Sequence, residues 1–469
     1  MSSTINPTGT ATNLATAYMQ PMQTQLSNEM TTASNTASAL TTLQTALSTF
    51  DSALTTLSGS GTSGGSGVTA YSATFSNPAI GTATASSSAT PGTYSFYVQQ
   101  LATAQQTVYA NLSSVPAAGA GTLTLDIANG NSFSVNLSTA GTSGSGSLSA
   151  SDIASAINQA SGNNGAVVAS VVTVGSQTEL LLSAGQTGAD NAITLDTSGI
   201  TNSTLQSALS GGQQLSAAQN AIVYLGGQGG VALQQDSNTF TSVAGVSINF
   251  TQAQSATDAP VTLTVASDAS ATATNVQTFV SAYNTVQSAL SALTADGNAA
   301  TGAAPGIFAN DPGVEDLENQ LNQFVRQDFN GQSLINLGVS ADQNGVLSLN
   351  QTTLTQALNA NPAAVGDVFG NAGLINNTGM LGSINTYLQS WLTPDIGQIA
   401  ERQSSVQAQQ KSLQNSQTQL TTQYNDLYQR YLTQFTNLQS LQAQMSQTES
   451  LYFSSSSSTS SSSSTSTGL

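Results

Sequence analysis

The residue types that carry most catalytic and metal chemistry are almost absent from this chain. Its 469 residues include no histidine and no cysteine, and the only basic residues are Arg326, Arg402, Lys411 and Arg430. Imidazole catalysis, Ser-His-Asp triads, disulfides and metal sites built on His or Cys are therefore excluded. A phosphate-binding loop or a Ser-Lys dyad would have to use Lys411, which lies in a predicted exposed coil. We predict no catalytic residue, no cofactor and no metal.

Carboxylates are the remaining candidates for chemistry. Paired acids for glycoside hydrolysis stay open, because spacing along a sequence does not fix spacing in the fold. The acidic residues nevertheless fall mostly at helix starts and turns, where capping explains them, so the structural interpretation is favoured. Asp342 and Asn344 before Gly345 resemble the start of a calcium loop, but the further ligands are missing and a turn is favoured.

The charge balance limits the possible partners. Twenty-two acidic residues against four basic ones give a formal charge of −18. Nucleic acid and anionic membranes are disfavoured as partners, because four basic residues can neutralise few phosphates. No stretch has the length of a transmembrane helix, and the sequence shows no secretory signal peptide. We expect no membrane insertion, and any export should follow a route that reads no cleaved signal.

Two distant stretches share one helical pattern. Large apolar residues recur at steps of three and four, which places them on one face of a helix. We predict that the two faces pack antiparallel as a helical leg, so that the chain between them is an insertion. The predicted leg-packing residues are Leu40, Leu43, Leu47, Phe50, Leu54 and Leu57 with Val276, Phe279, Tyr283, Val286, Leu290 and Leu293.

The two ends of the chain also carry helical patterns. Residues 1–39 are polar and interrupted by Pro21, so we expect them to be disordered until a partner helix orders them. In residues 394–453 apolar residues stand seven apart, with glutamines between them. The alternative, free monomeric helices, is less favoured than pairing with each other and with other subunits. The predicted assembly seam is Leu14, Tyr18, Met22 and Leu26 with Ile399, Val406, Leu413, Leu420 and Leu427.

The pattern in the middle of the chain has a period of two, which indicates strands. Asn129-Gly130 predicts a hairpin, and Ser149 with Asp152 predicts a capping box that opens a short helix. The predicted fold class is multidomain α+β, with a helical leg and coiled coil from both termini and an inserted β-rich head of two domains. The predicted parts are a coil (1–39), the leg (40–67 and 268–393), a β-rich head domain (68–110 and 217–267), an inserted outer α+β domain (111–216), a second coil (394–453) and a disordered Ser/Thr tail (454–469).

Several segments together resemble the flagellar filament cap protein family, also called hook-associated protein type 2. The most specific match is residues 334–370, LINLGVSADQNGVLSLNQTTLTQALNANPAAVGDVFG with its Asn-Gly turn and Asn-Pro step. Residues 89–101 and 245–265 look like strands of the family's head domains. Residues 14–57 look like its N-terminal coil and first leg helix. The resemblance covers nearly the whole chain.

The resemblance implies a structural role rather than an enzymatic one. It implies export through the flagellar type III channel and an extracellular position at the distal filament tip, as a homo-oligomeric ring of roughly four to six subunits. The implied partners are further copies of the chain, flagellin, the hook-filament junction proteins and a cytoplasmic export chaperone. A secreted adhesin that binds host glycan or mucin, or an exported glycosidase, would also fit the head. The coils at both ends favour the cap.

Overall fold

The computed structural model describes residues 6–58, 67–141, 146–175, 177–372 and 377–457. Its helices are α1 Pro7–Ser58, α2 Ala150–Gln159, α3 Ser203–Ser210, α4 Ala269–Thr294, α5 Pro312–Phe324, α6 Gln351–Ala360, α7 Ala364–Phe369, α8 Gly379–Leu392 and α9 Gln398–Ser457. Short 3₁₀ turns lie at Leu137–Thr139, Ala189–Asn191 and Ile335–Leu337. Two Gly/Ser-rich stretches have the composition of flexible linkers, and residues 59–66 of the first, residues 142–145 of the second and the end of the Ser/Thr tail lie outside the described residues.

The strands form several antiparallel sheets. They are β1 Tyr71–Phe75, β2 Gly81–Ala85, β3 Gly92–Gln100, β4 Gln106–Tyr109, β5 Val115–Pro116, β6 Thr122–Ile127, β7 Ser132–Asn136, β8 Ser147–Leu148, β9 Val167–Val174, β10 Gln177–Ala184, β11 Ile193–Asp196, β12 Gln213–Ser216, β13 Ala221–Leu225, β14 Val231–Gln235, β15 Thr239–Phe240, β16 Val246–Phe250, β17 Val261–Ser267, β18 Val339–Ala341, β19 Leu347–Leu349, β20 Asn371–Ala372 and β21 Asn377–Thr378. The mixture of long helices and antiparallel sheets confirms the predicted α+β class.

The leg is built around one hydrophobic core. The C-terminal half of α1 packs in it with α4, α5, α7, α8 and the first turns of α9. Asp268 caps α4 through Ala271 N–H, and Asp311 caps α5 through the N–H groups of Gly313 and Val314. In the β18–β19 hairpin Gly345 has a φ of +78°, and a Cβ there would lie 2.4 Å from Asn322 Oδ1, so only glycine fits this turn.

The inserted head has two separate cores. In the first, the sheet β1-β17-β3-β13-β14 packs with the sheet β15-β16-β2, and Phe96, Phe240 and Phe250 fill the space between strands. In the second, the outer unit, the sheets β12-β4-β10-β9 and β11-β6-β7 pack with α2 and α3. Ser149 and Asp152 form the capping box of α2, as the sequence predicts.

The structure places the boundary between the two head domains differently from the prediction. Residues 106–110 were assigned to the first head domain, but β4 pairs with β10 and β12, and Tyr109 lies in the core of the outer unit. The chain therefore enters the outer unit near residue 105 and leaves it after Ser216. Thr107, Val108 and Tyr109 are β-branched or aromatic and favour a strand, but such a composition does not identify the sheet in which the strand pairs.

The N-terminal coil is the second correction. Residues 7–39 are not a separate segment, because α1 runs without a break from Pro7 through Pro21 to Ser58. Pro21 removes one backbone hydrogen bond and sits on the exposed side of the helix. Met19 and Leu26, on either side of it, are buried against α9, and this packing holds the helix together across the proline.

Candidate assembly site

The predicted leg-packing residues lie together in one core. Of the twelve, only Leu293 is partly buried, at the edge of the cluster, and the others are at most 5% exposed. Phe50 is the centre of the contact, since its ring lies 6.2 Å from that of Phe279 and 6.1 Å from that of Tyr283. Burial raises the pKa of Tyr283, so its hydroxyl remains protonated and donates to Asn322 Oδ1.

The start of α9 belongs to the leg rather than to the coil. Ile399 and Val406, predicted as coil residues, are part of the leg core. Between them Arg402 donates two hydrogen bonds to Asp311, at 2.5 Å and 3.0 Å, and its guanidinium lies 5.5 Å from the centre of the Trp391 ring. This is the ion pair found among the described residues. It attaches α9 to the first turn of α5 and the last turn of α8.

The surroundings of the Asp311 carboxyl favour its ionised form, which the ion pair with Arg402 requires. Burial alone would raise its pKa, but the hydrogen bond and charge of Arg402, with the N–H groups of Val314 and Gly313, lower it overall. Asp311 is therefore ionised at neutral pH and serves both as helix cap and as ion-pair partner. A bidentate Arg-carboxylate pair fixes orientation as well as distance.

Beyond the leg, α1 and α9 form an antiparallel pair. Gln44 bonds to Gln403 near the leg, Leu26 packs with Leu413, and Met19 packs with Leu427 further along. The face of α1 that contacts α9 consists mainly of small residues with a few larger ones: Ala11, Ala15, Met19, Leu26 and Ala33. Small side chains let two helices approach closely without bulky knobs between them.

The contact between α1 and α9 differs from the predicted assembly seam. Leu26, Leu413 and Leu427 are buried in the pair and Leu420 is partly buried, but Leu14, Tyr18 and Met22 are 42%, 63% and 40% exposed. They lie beside the alanine face and not on it. The prediction followed the largest apolar residues, whereas the helix pair uses the alanines three positions earlier. Ala11 and Ala15, one turn apart, are the feature of the sequence that indicates this contact face.

The last turns of α9 extend beyond the N-terminal end of α1. If the pairing of Met19 with Leu427 is continued residue for residue, Pro7 lies opposite about residue 439 (19 + 427 − 7), and α9 runs on to Ser457. This overhang is residues 440–457. Its large apolar residues are Leu441, Met445, Leu451, Tyr452 and Phe453, each at least 53% exposed.

The rest of the described surface offers little for chemistry. Across residues 6–457, apart from the undescribed gaps, no three acidic side chains meet in a group that could hold a metal ion. A shallow groove of about 540 Å³ near the β18–β19 turn is lined mostly by amides, with Glu318 and Arg326. Asp342 accepts hydrogen bonds from the N–H groups of Asn344 and Val346, in a turn rather than a calcium loop. None of the helices in the described ranges carries an apolar run of the length needed to span a bilayer.

Two family models match the chain. The N-terminal model of flagellar hook-associated protein 2 covers residues 3–105, and its C-terminal model covers residues 218–447. The lateral flagellar hook-associated protein 2 of Vibrio parahaemolyticus is 33% identical over 379 residues, which is 79% of this chain and 83% of that protein. The chain belongs to the flagellar hook-associated protein 2 family.

Further members of the family are similar over most of the chain. The B-type flagellar hook-associated protein 2 of Pseudomonas aeruginosa is 28% identical over 387 residues, covering 76% of this chain and 79% of that one. The crystal structure of the flagellar cap protein FliD domains D1-D2-D3 from Escherichia coli superposes with a TM-score of 0.58 at 25% identity. It covers 78% of this chain and 99% of the crystallised one.

The part of the chain between the two family models coincides with the outer unit. The models leave out residues 106–217, and the outer unit begins with β4 at Gln106 and ends with β12 at Ser216. The leg, the first head domain and most of the coil lie within the matched residues. The outer unit is therefore the part of the described fold that the two family models do not cover.

Proposed function

We propose that this chain is a structural cap at the distal tip of the bacterial flagellar filament. It would promote the folding and insertion of exported flagellin and prevent its leakage. The observation that supports this most is the coil built from both ends of the chain, which is anchored to a leg and carries apolar surfaces that the chain itself leaves uncovered. The family membership and the name of the Escherichia coli structural relative, a flagellar cap protein, point the same way.

Assembly would use two surfaces of the coil. The first is the stripe Leu14, Tyr18 and Met22 on α1, and the second is the overhang of α9. In a single chain each surface exposes apolar side chains to water, which is unfavourable. Burial against neighbouring copies would remove this free-energy cost of exposure. We infer a ring of roughly four to six copies, in line with the family resemblance.

The remaining partners follow from the same role. Flagellin and the hook-filament junction proteins would contact the assembled cap, and a cytoplasmic chaperone would shield the coil before export. The chain would leave the cell by the flagellar type III pathway without a cleaved signal peptide. No enzymatic step is part of the proposal.

The test is complementation of a strain that lacks the gene. The null strain is expected to secrete unpolymerised flagellin and lose motility, and the full chain should restore filaments. A chain that ends at residue 439 should fail, because the overhang is gone, whereas a chain that ends at residue 457 loses only the end of the Ser/Thr tail and should succeed. Normal filaments in the null strain would overturn the proposal, and electron microscopy of the purified chain would count the subunits.

A secreted adhesin that binds host glycan or mucin through the head is the second candidate. The observation in its favour is that residues 106–217 fall outside the family models, so these models do not account for the surface of the outer unit. Deletion of the outer unit separates the two roles. Loss of mucin binding with intact filaments would assign adhesion to the outer unit, and no mucin binding by the full chain would exclude it.

A further inference from the structure

The strand β9 forms one edge of the four-stranded sheet in the outer unit. It runs from Val167 to Val174, pairs with β10 on one side and has no strand on the other. Val168, Val171 and Val174 are 51%, 42% and 58% exposed. A long edge rich in β-branched residues, with no lysine or proline, is the type of edge that accepts a further strand.

Two asparagines cover the first half of this edge. Asn163 donates to the carbonyl of Val167 and accepts from its N–H, at 2.8 Å in both cases. Asn158, on α2, does the same for Ala169 at 2.7 Å and 2.9 Å. Each amide thus takes the place of a neighbouring strand, and the backbone groups of these two residues are satisfied.

The second half of the edge is open. In an antiparallel strand the N–H and C=O of one residue point to the same side, and successive residues alternate. Since Val167 and Ala169 point away from β10, Val171 and Thr173 also point away from it. No described side chain or strand bonds to these four groups. The free half-edge, residues 170–174, therefore presents two donors and two acceptors in a row.

We propose that the free half-edge pairs antiparallel with the same half-edge of a second copy of this chain. The two half-edges are self-complementary, because Val171 of one copy meets Thr173 of the other and all four groups on each strand are satisfied. Charge does not oppose a second copy. Glu179, on β10, lies opposite Val172. In the paired copies the two Glu179 residues would be about 15 Å apart, which is more than the Debye length of about 10 Å at 0.1 M salt.

The geometry fixes the register of this contact. Val172 lies on the two-fold axis and faces Val172 of the other copy in a pair without hydrogen bonds, where Cα atoms are about 4.5 Å apart. The pairing cannot extend past Ser170, because the Asn158 amide occupies the edge at Ala169. The contact is small and weak for one pair, and is strengthened when several copies in two assemblies meet at once. It is separate from the coil surfaces of the proposed cap.

A cysteine trap tests the register in the full chain, which has no cysteine of its own. Val172→Cys should form a disulfide-linked dimer under mild oxidation, since its Cα spacing suits the bond. Val168→Cys is the matched control, because it is an exposed valine on the same strand face whose partner would be residue 176. Equal rates of cross-linking in the two variants would mean random collision and would overturn the proposal.

A proline substitution on the free half-edge is the second test of the proposal. Thr173→Pro removes an N–H that points away from β10, so the sheet inside the unit keeps its hydrogen bonds. In the Val172→Cys background it should slow cross-linking at least about tenfold, because two of the four intermolecular hydrogen bonds are lost. A cross-linking rate that Thr173→Pro leaves unchanged would contradict strand pairing. Loss of coil assembly would alter ring formation and leave this difference between the variants in place, so the two proposals fail separately.

Discussion

The two halves of α1 use one helix in two different ways. In residues 40–57 the inward face carries large side chains such as Leu47 and Phe50, which are buried by several helices at once. In residues 7–33 the inward face is mainly alanine and packs against α9. The backbone is continuous across both halves, so the difference lies in how much apolar surface each turn buries.

This comparison explains why one part of the chain can be rigid and the other adaptable. Isolated helices are marginal in water, and burial of apolar side chains at about 25 cal/mol per Å² supplies most of their stability in proteins. An alanine face buries little, so the coil half can separate from α9 at low cost. The leg half cannot leave its core without exposing Phe50 and its neighbours. This difference suits a coil that repacks when the chains assemble and a leg that supports the coil.

The largest expected effect comes from a charge in each half. Leu47→Asp places an unpaired carboxylate in the leg core and should lower the free energy of unfolding by about 3–5 kcal/mol. Leu14→Asp is the matched change on the exposed stripe of the coil half and should alter the unfolding of a single chain by less than about 0.5 kcal/mol. Denaturant unfolding of the two variants at low protein concentration measures the difference.

Limited proteolysis adds the spatial part of this prediction. In Leu47→Asp, cleavage should appear in α1 and α4 while the head domains stay resistant, because their cores are separate from that of the leg. An intact leg in this variant would contradict the comparison. Leu14→Asp should instead reduce ring formation, and rings in normal yield would show that the stripe is not an assembly surface.

A larger side chain on the alanine face should have the next largest effect. Ala33 is 1% exposed in the contact with α9, and Ala33→Leu would force the two helices apart at a cost of about 1–3 kcal/mol. Ala37, in the next turn, packs only at the margin of the leg core and provides the control. Hydrogen exchange along α9 measures the result, with faster exchange expected around Leu413 for Ala33→Leu and little change for Ala37→Leu.

The leg and the coil also differ in what their sequences reveal. Leu40 and Val276 could be assigned to one seam because large residues at steps of three and four leave few alternatives. The coil face could not, because Ala11 and Ala15 look like any helix-forming alanines, and Tyr18 is the more conspicuous residue. The attachment of Arg402 to Asp311 joins residues 91 apart in sequence, and no local pattern announces it.

Where the leg meets the head, two buried threonines give a smaller and opposed pair of effects. Thr272 Oγ1 accepts from the N–H of Ala70 at 3.0 Å, whereas Thr69 Oγ1 is buried without a partner. Thr272→Val should destabilise the leg by about 1–2 kcal/mol, because it leaves a buried N–H unpaired, and Thr69→Val should be neutral or slightly stabilising. Thermal unfolding compares them, and a loss of stability in Thr69→Val would show that its hydroxyl has a partner.

The smallest effects concern two acids of the leg whose pKa values shift in opposite directions. Burial raises the pKa of Asp51, on α1, despite a hydrogen bond from Asn385. The protonated Asp51 carboxyl therefore contributes fully to stability below the pKa of Asp51 in the unfolded chain, near 3.8. This contribution is lost as the pH rises through the pKa of Asp51 in the folded chain. Asp311, which holds the start of α9, has a lowered pKa. Its contribution is present above 3.8 and is lost as the pH falls through the folded value.

Substitution by asparagine should therefore separate the two acids by pH. Asp51→Asn removes a poorly solvated charge and should stabilise the leg slightly at pH 7, with no difference left near pH 3. Asp311→Asn keeps the helix cap but loses the ion pair, so it should destabilise the start of α9 at pH 7 and approach the parent chain near pH 3. Unfolding of both variants across this range measures the crossing. Parallel pH profiles would mean that Arg402 does not hold α9 through charge, and the rigidity of the joint between leg and coil would then rest on Ile399 and Val406 alone.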